Sequence, residues 1–113
     1  MECLFCKIVA GQVPATIIFE DETVMAFRDI SPQSPSHILV IPKKHISSIN
    51  DVHGEDEALL GHLVMVAKNL ASQLGFSEKG YRLVFNINED GGQTVYHIHL
   101  HLLGGRRMTW PPG

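Results

Sequence analysis

His97-Ile98-His99-Leu100-His101-Leu102-Leu103 sets three histidines at every second position. Alternate residues of a strand share one face. The stretch therefore reads as a strand with three imidazoles on one side. Ile98, Leu100 and Leu102 would point the other way, into a core. Imidazole has an ordinary pKa near neutrality, so such a row marks a reaction centre or a metal site. Same-face neighbours stand about 6.6–7 Å apart along a strand. Three imidazoles can converge on one small polar group such as a phosphate. Closing a tetrahedral metal site from all three needs distortion or outside help. A histidine nucleophile splits one hard transfer into two easier ones. A flanking histidine can then act as general acid toward the leaving group. Just upstream, Gly91-Gly92-Gln93-Thr94 offers backbone N–H groups, an amide and a hydroxyl to phosphate oxygens.

Working outward, Thr16–Glu20 and Thr23–Arg28 are rich in β-branched and apolar residues and flank Asp21-Glu22, a hairpin pattern. Asp29–Ser36, with Pro32, Pro35 and three serines, reads as a loop. His37–Ile41 is a strand ended by Pro42, and Tyr81–Asn86 is another. The row itself belongs to a fifth strand over 95–103. Between them, Leu59, Leu60, Leu63, Val66, Ala67, Leu70, Ala71 and Leu74 recur at three- and four-residue intervals. Glu55-Asp56-Glu57 opens that helix and Gly75 stops it. A short helix occupies residues 3–10, ending at Gly11. The fold class is α+β: a five-stranded antiparallel sheet with one long and one short helix.

The chain has 113 residues, 44% hydrophobic and 19% charged, as expected of one soluble domain over 1–113. Its formal net charge of −3 argues against broad binding to nucleic acid or anionic membrane. No apolar run is long enough to cross a bilayer, and no secretory signal is visible. The two cysteines, Cys3 and Cys6, sit too close for a disulfide framework, which predicts a cytoplasmic protein. In the tail at 104–113, Trp110 is the only tryptophan and is expected to dock on a surface. Lys43-Lys44, His53 and His62 read as solvated surface residues.

The row matches the His-x-His-x-His-x-x signature of the histidine triad (HIT) superfamily. Asp29–Gln33, His37–His45, Gly91–Tyr96, Leu103–Arg106 and Trp110–Gly113 are similar to its histidine triad nucleotide-binding (Hint) branch. The resemblance runs from about Leu4 to Gly113. It implies a purine nucleoside phosphoramidase that hydrolyses nucleoside 5′-phosphoramidates and aminoacyl-adenylates without a required cofactor. His99 would be the nucleophile and form a nucleotidyl-histidine. His101 would contact phosphate and assist the leaving amine. His37 would hydrogen-bond and orient the nucleophile, and His97 would support the geometry.

The resemblance also implies a purine pocket of Leu4, Phe5, Ile8, Phe27 and Ile30. Asp29 would bind the ribose hydroxyls. Asn86, Gly92, Gln93 and Thr94 would lie near the phosphate. It implies a homodimer in which Tyr81–Asn86 and the long helix pair across a two-fold axis, joining two sheets into a ten-stranded one. Trp110 would reach the partner's site. Cys3-Leu4-Phe5-Cys6 can hold one edge of a tetrahedral zinc site. Similar bacterial HIT proteins complete it with histidines, here at His45 and His97, and the alternative is two buried free thiols. Two other function classes remain beside the enzyme: a nucleotide-binding regulatory module and a dinucleoside polyphosphate hydrolase. The third histidine and the tail disfavour nucleotidyl transfer and polyphosphate hydrolysis respectively.

Overall fold

The computed structural model describes residues 3–113. Asp21 starts the first hairpin. Its Oδ1 accepts the N–H groups of Thr23 and Val24 at 2.9 and 2.8 Å, an Asx-type turn. This joins β1 (Ile17–Glu20) to β2 (Val24–Arg28). The other oxygen, Oδ2, lies 2.6 Å from His62 Nε2 on the long helix. That bond, more than any other cause, holds Asp21 at a pKa of about 2. His62, expected to be a plain surface residue, therefore clasps the hairpin to the helix.

β3 (Ser36–Pro42), β4 (Tyr81–Phe85) and β5 (Leu100–Gly104) complete one antiparallel sheet in the order β1-β2-β3-β5-β4. Strand alternation sorts the core into two halves. Val24, Ala26, Ile38, Val40, Leu100 and Leu102 face the long helix α2 (Glu57–Gln73) through its Leu63, Val66, Ala67, Leu70 and Ala71. On the opposite face Met25, Phe27, Leu39 and Ile41 pack with Cys3, Phe5 and Ile8 of the short helix α1 (Leu4–Val9) and its cap. Both faces are covered, so β2 is buried from Val24 to Phe27 without a polar gap. No helix among the described residues is long and apolar enough to cross a membrane.

The expected fifth strand over 95–103 is shorter at its start. Its ladder with β3 ends at the Val40–Leu100 pair. Beyond that point the Ile98 N–H donates to Ile46 O at 2.8 Å, in the loop after β3. β3 itself runs two residues further, through Ile41 to Pro42, and there pairs only with β2. The side chains still alternate: Ile98 joins the α2 core, while His99 meets Phe5 on the α1 side.

Lys43 and Lys44 are not a free pair. Lys43 Nζ binds Glu20 at 2.6 Å, and Lys44 Nζ binds Asp56 at 2.7 Å. Asp56 also accepts the His53 N–H at 3.0 Å, in a 3-10 turn that leads into α2. At the far end of α2, the Phe76 ring lies over Gly104, where an added Cβ would collide with it. Gly104→Ala is expected to cost about 1–3 kcal/mol through overpacking. Urea unfolding would read this as a lower midpoint at unchanged slope.

Candidate active site

β5 and its approach carry the histidines to the α1 face. Phe5 packs edge-on against both His97 and His99, with centroids 5.9 and 5.1 Å apart. The His99 and His101 rings are 4.9 Å apart. Beside them opens a cavity of about 250 Å³, near the small end of ligand pockets. Leu4, Phe5, Ile8, Phe27, Ile30 and Leu39 make it largely apolar, while Arg28, Asp29, Thr94, His99 and His101 are its polar groups.

Hydrogen bonds fix the imidazole protons. A carbonyl can only accept, so the 2.8 Å contact of His99 Nδ1 with His97 O puts the proton on Nδ1. His99 Nε2 is left with its lone pair. The Gln33 N–H donates to His37 Nδ1 at 3.0 Å, so His37 carries its proton on Nε2. That N–H points to His101 Nδ1 at 2.9 Å, with Asp29 Oδ2 at 3.5 Å as a second neighbour. His101 in turn keeps its proton on Nε2, and the Asn86 amide, 3.5 Å away, accepts it only with its oxygen turned to the ring. Burial lowers the pKa of His37 and His99, and burial with the neighbouring His99 and His37 lowers His101 to about 4. At neutral pH the site therefore pairs an unprotonated nitrogen on His99 with an N–H donor on His101.

His97 belongs to a second cluster. Its Nε2–H donates to Pro42 O at 2.8 Å, which leaves Nδ1 free. That atom is 3.4 Å from Cys3 Sγ, 3.6 Å from Cys6 Sγ and 3.2 Å from His45 Nδ1. Cys6 Sγ is 3.3 Å from His45 Nδ1. Ordinary zinc–sulfur and zinc–nitrogen bonds give a tetrahedron with edges of roughly 3.3–3.8 Å. The four groups fit that figure, and the Pro42 carbonyl supplies the partner a ligating histidine needs on its other nitrogen. Asp29, His37 and His101 also bring three ligand atoms within 4.8 Å of one another. They fit a metal poorly, because the Gln33 N–H keeps the His37 proton on the nitrogen that would have to bind it.

The HIT domain model matches residues 10–108. The chain belongs to the HIT domain family. A HIT family hydrolase from Legionella pneumophila Philadelphia 1 shares 64% identity and a TM-score of 0.97, over 99% of this chain and 100% of that one. A purine nucleoside phosphoramidase of Escherichia coli K12 is 53% identical over 95% of this chain and 90% of its own length. A zinc-bound histidine triad family protein from Mycobacterium smegmatis is 36% identical, with a TM-score of 0.81, over 94% of this chain and 76% of that one.

Within this HIT fold, Leu4, Phe5, Ile8, Phe27, Asp29, Ile30 and Thr94 line one cavity. Gln93 does not. Its Nε2 donates to Ser47 O and Val95 O at 2.7 and 3.1 Å, and its Oε1 accepts the Asn88 N–H at 2.9 Å. The side chain fastens the glycine loop and has nothing left for phosphate. Gly92 is also outside the cavity lining, and so is Trp110, which is 82% exposed rather than docked on its own chain. His37 hydrogen-bonds His101, not the expected nucleophile, whose orientation comes from the His97 carbonyl. Leu39 and Val95 are lining residues that sequence reasoning missed. Leu39 was accessible to it, being two residues from His37 on one strand.

The low pKa of His101 has a stability consequence. Between about 4 and its ordinary 6.5 the unfolded chain binds the proton and the fold does not. The stabilising contribution is complete above 6.5 and is lost as pH falls toward 4. Thermal melts should show Tm falling across this window by about 5 °C or more, and His101→Asn should flatten that slope.

Proposed function

We propose that this protein is a purine nucleoside phosphoramidase, acting on nucleoside 5′-phosphoramidates and aminoacyl-adenylates. The observation that carries this is His99. Its Nδ1–H is tied to a carbonyl, and its ring lines a nucleoside-sized apolar cavity beside Asp29 and the His101 ring. The purine packs among Leu4, Phe5, Ile8, Phe27 and Ile30, and Asp29 accepts the ribose hydroxyls. His99 Nε2 attacks phosphorus. A bond forms from that nitrogen to phosphorus as the bond from phosphorus to the amine nitrogen breaks. With the substrate phosphate bound, His101 takes up a proton from water to become an imidazolium, the amine leaves with one proton of that imidazolium, and His101 returns to its neutral form beside His37. The bound phosphate anion favours extra positive charge on these rings, offsetting the burial that lowers their pKa in the free protein. Water then attacks the nucleotidyl-His99, returns a proton to His101 and releases the nucleoside monophosphate. Thr94 and Asn86 hold the phosphate and sugar edge. The 53% identity to the E. coli phosphoramidase supports the same substrate class.

A fluorogenic adenosine 5′-phosphoramidate should turn over, and diadenosine polyphosphates should turn over slowly or not at all. His99→Ala should lower kcat/KM by about 10³-fold or more while AMP still binds. Wild-type turnover by His99→Ala would remove the nucleophile. AMP binding with no turnover in the wild type would favour a regulatory nucleotide-binding module instead.

Cys3, Cys6, His45 and His97 hold one structural zinc ion in this reading, supported by the fit of their distances and by the zinc-bound relative. When bound, zinc supplies cross-linking of the N-terminal helix to the sheet, and the reaction itself takes no cofactor. Metal analysis of protein purified without chelator should find about one equivalent, and less than about a tenth would exclude the site. The cellular setting is cytoplasmic. A homodimer completes the proposal. β4 is an edge strand with its outer ladder open, and α2 exposes Val64 and Met65. The exposed Trp110 is then available to a partner's site. A monomer mass by light scattering at micromolar concentration would refute this.

A further inference from the structure

The two sites share a wall. Cys3 caps α1, its Sγ accepting the Cys6 N–H at 3.3 Å, and both sulfurs reach the histidine cluster. The same helix presents Leu4, Phe5 and Ile8 to the nucleoside cavity. A second, more polar cleft opens from solvent onto Cys3 and His45, and Leu4, Thr94 and Val95 line both it and the cavity. On the sheet side the link is covalent. His97 offers its ring to the cluster and its carbonyl to the nucleophile, while Phe5 touches both rings. α1 meets the sheet through an apolar cluster, through the Phe5 ring against His97 and His99, and through these sulfur–imidazole contacts. A six-residue helix has little stability of its own and takes its place from what it is attached to.

We propose that Cys3 and Cys6 are positioning residues of the nucleoside pocket, and that metal binding at their cluster and nucleoside monophosphate binding at the cavity are positively coupled. The inference rests on the zinc reading above. The metal ion fixes α1 against the sheet. Leu4, Phe5 and Ile8 are then in place before the purine arrives, and the nucleotide need not order them. Without the ion, part of the nucleotide's binding free energy goes into placing that wall. Linkage is reciprocal, so bound nucleotide must tighten the metal by the same factor.

The test uses the full chain, Zn(II) and AMP. Calorimetric titration of AMP into zinc-loaded and chelator-stripped wild-type protein should give a dissociation constant about 5- to 50-fold weaker in the stripped form. Competition with a chromophoric chelator should show AMP tightening zinc by the same factor. Cys6→Ser should bind AMP like stripped protein and no longer respond to zinc. Its loss should fall mainly on KM, with kcat moving less. Cys6→His, which keeps a ligand, should restore zinc binding and AMP affinity together. Because loaded and stripped wild type suffice for the central comparison, misfolding of a variant does not shield the idea. Equal AMP affinity in the two forms, with zinc shown to bind, overturns the coupling and leaves the zinc site standing. Absence of zinc binding overturns both.

Discussion

The backbone carbonyl of His97 keeps a proton on one nitrogen of His99 and thereby leaves the other bare. Much of the site follows from that single 2.8 Å bond. It needs the 97–99 stretch to leave the regular ladder, since a carbonyl engaged with a neighbouring strand would be less free to take a side chain. The ladder with β3 ends at the Val40–Leu100 pair, and two residues beyond Val40 the carbonyl of Pro42 fixes the His97 ring.

Burial on both faces of the sheet gives these bonds their effect. An exposed imidazole near pH 7 would be a mixture of protonated and neutral forms. Here apolar walls from α1 and the sheet drive the site rings toward neutrality, and fixed donors and acceptors choose the tautomer. The same low-dielectric setting makes a phosphate anion a strong perturbation when it enters. In the proposed reaction the site would rest neutral and take charge only with substrate.

The period-two pattern of His97–Leu102 was enough to place the row on one face and Ile98, Leu100 and Leu102 in the core. The α2 helix was equally legible from its three- and four-residue spacing. Local pattern could not reveal that Gln93 spends its amide on Ser47, Val95 and Asn88, because those partners are set by how two loops cross. Nor could it show that His37 serves His101. That pairing depends on sheet order, which brings β3 beside β5 rather than β4. The Lys43–Glu20, Lys44–Asp56 and His62–Asp21 pairs were hidden for the same reason. The sequence showed the charges, and the fold decided which ones meet.

That strand order also bears on how the protein is made. β3 and β4 are not neighbours, and β5 lies between them. Until residues 97–104 have left the ribosome, β4 has no place in the sheet and β3 has one open side. Its Ile38 and Val40 would then be only partly enclosed. The strand that carries the chemistry is also the piece that closes the sheet. A nascent chain cannot hold a nucleotide in a half-built site, because binding competence and completion of the core arrive with the same few residues.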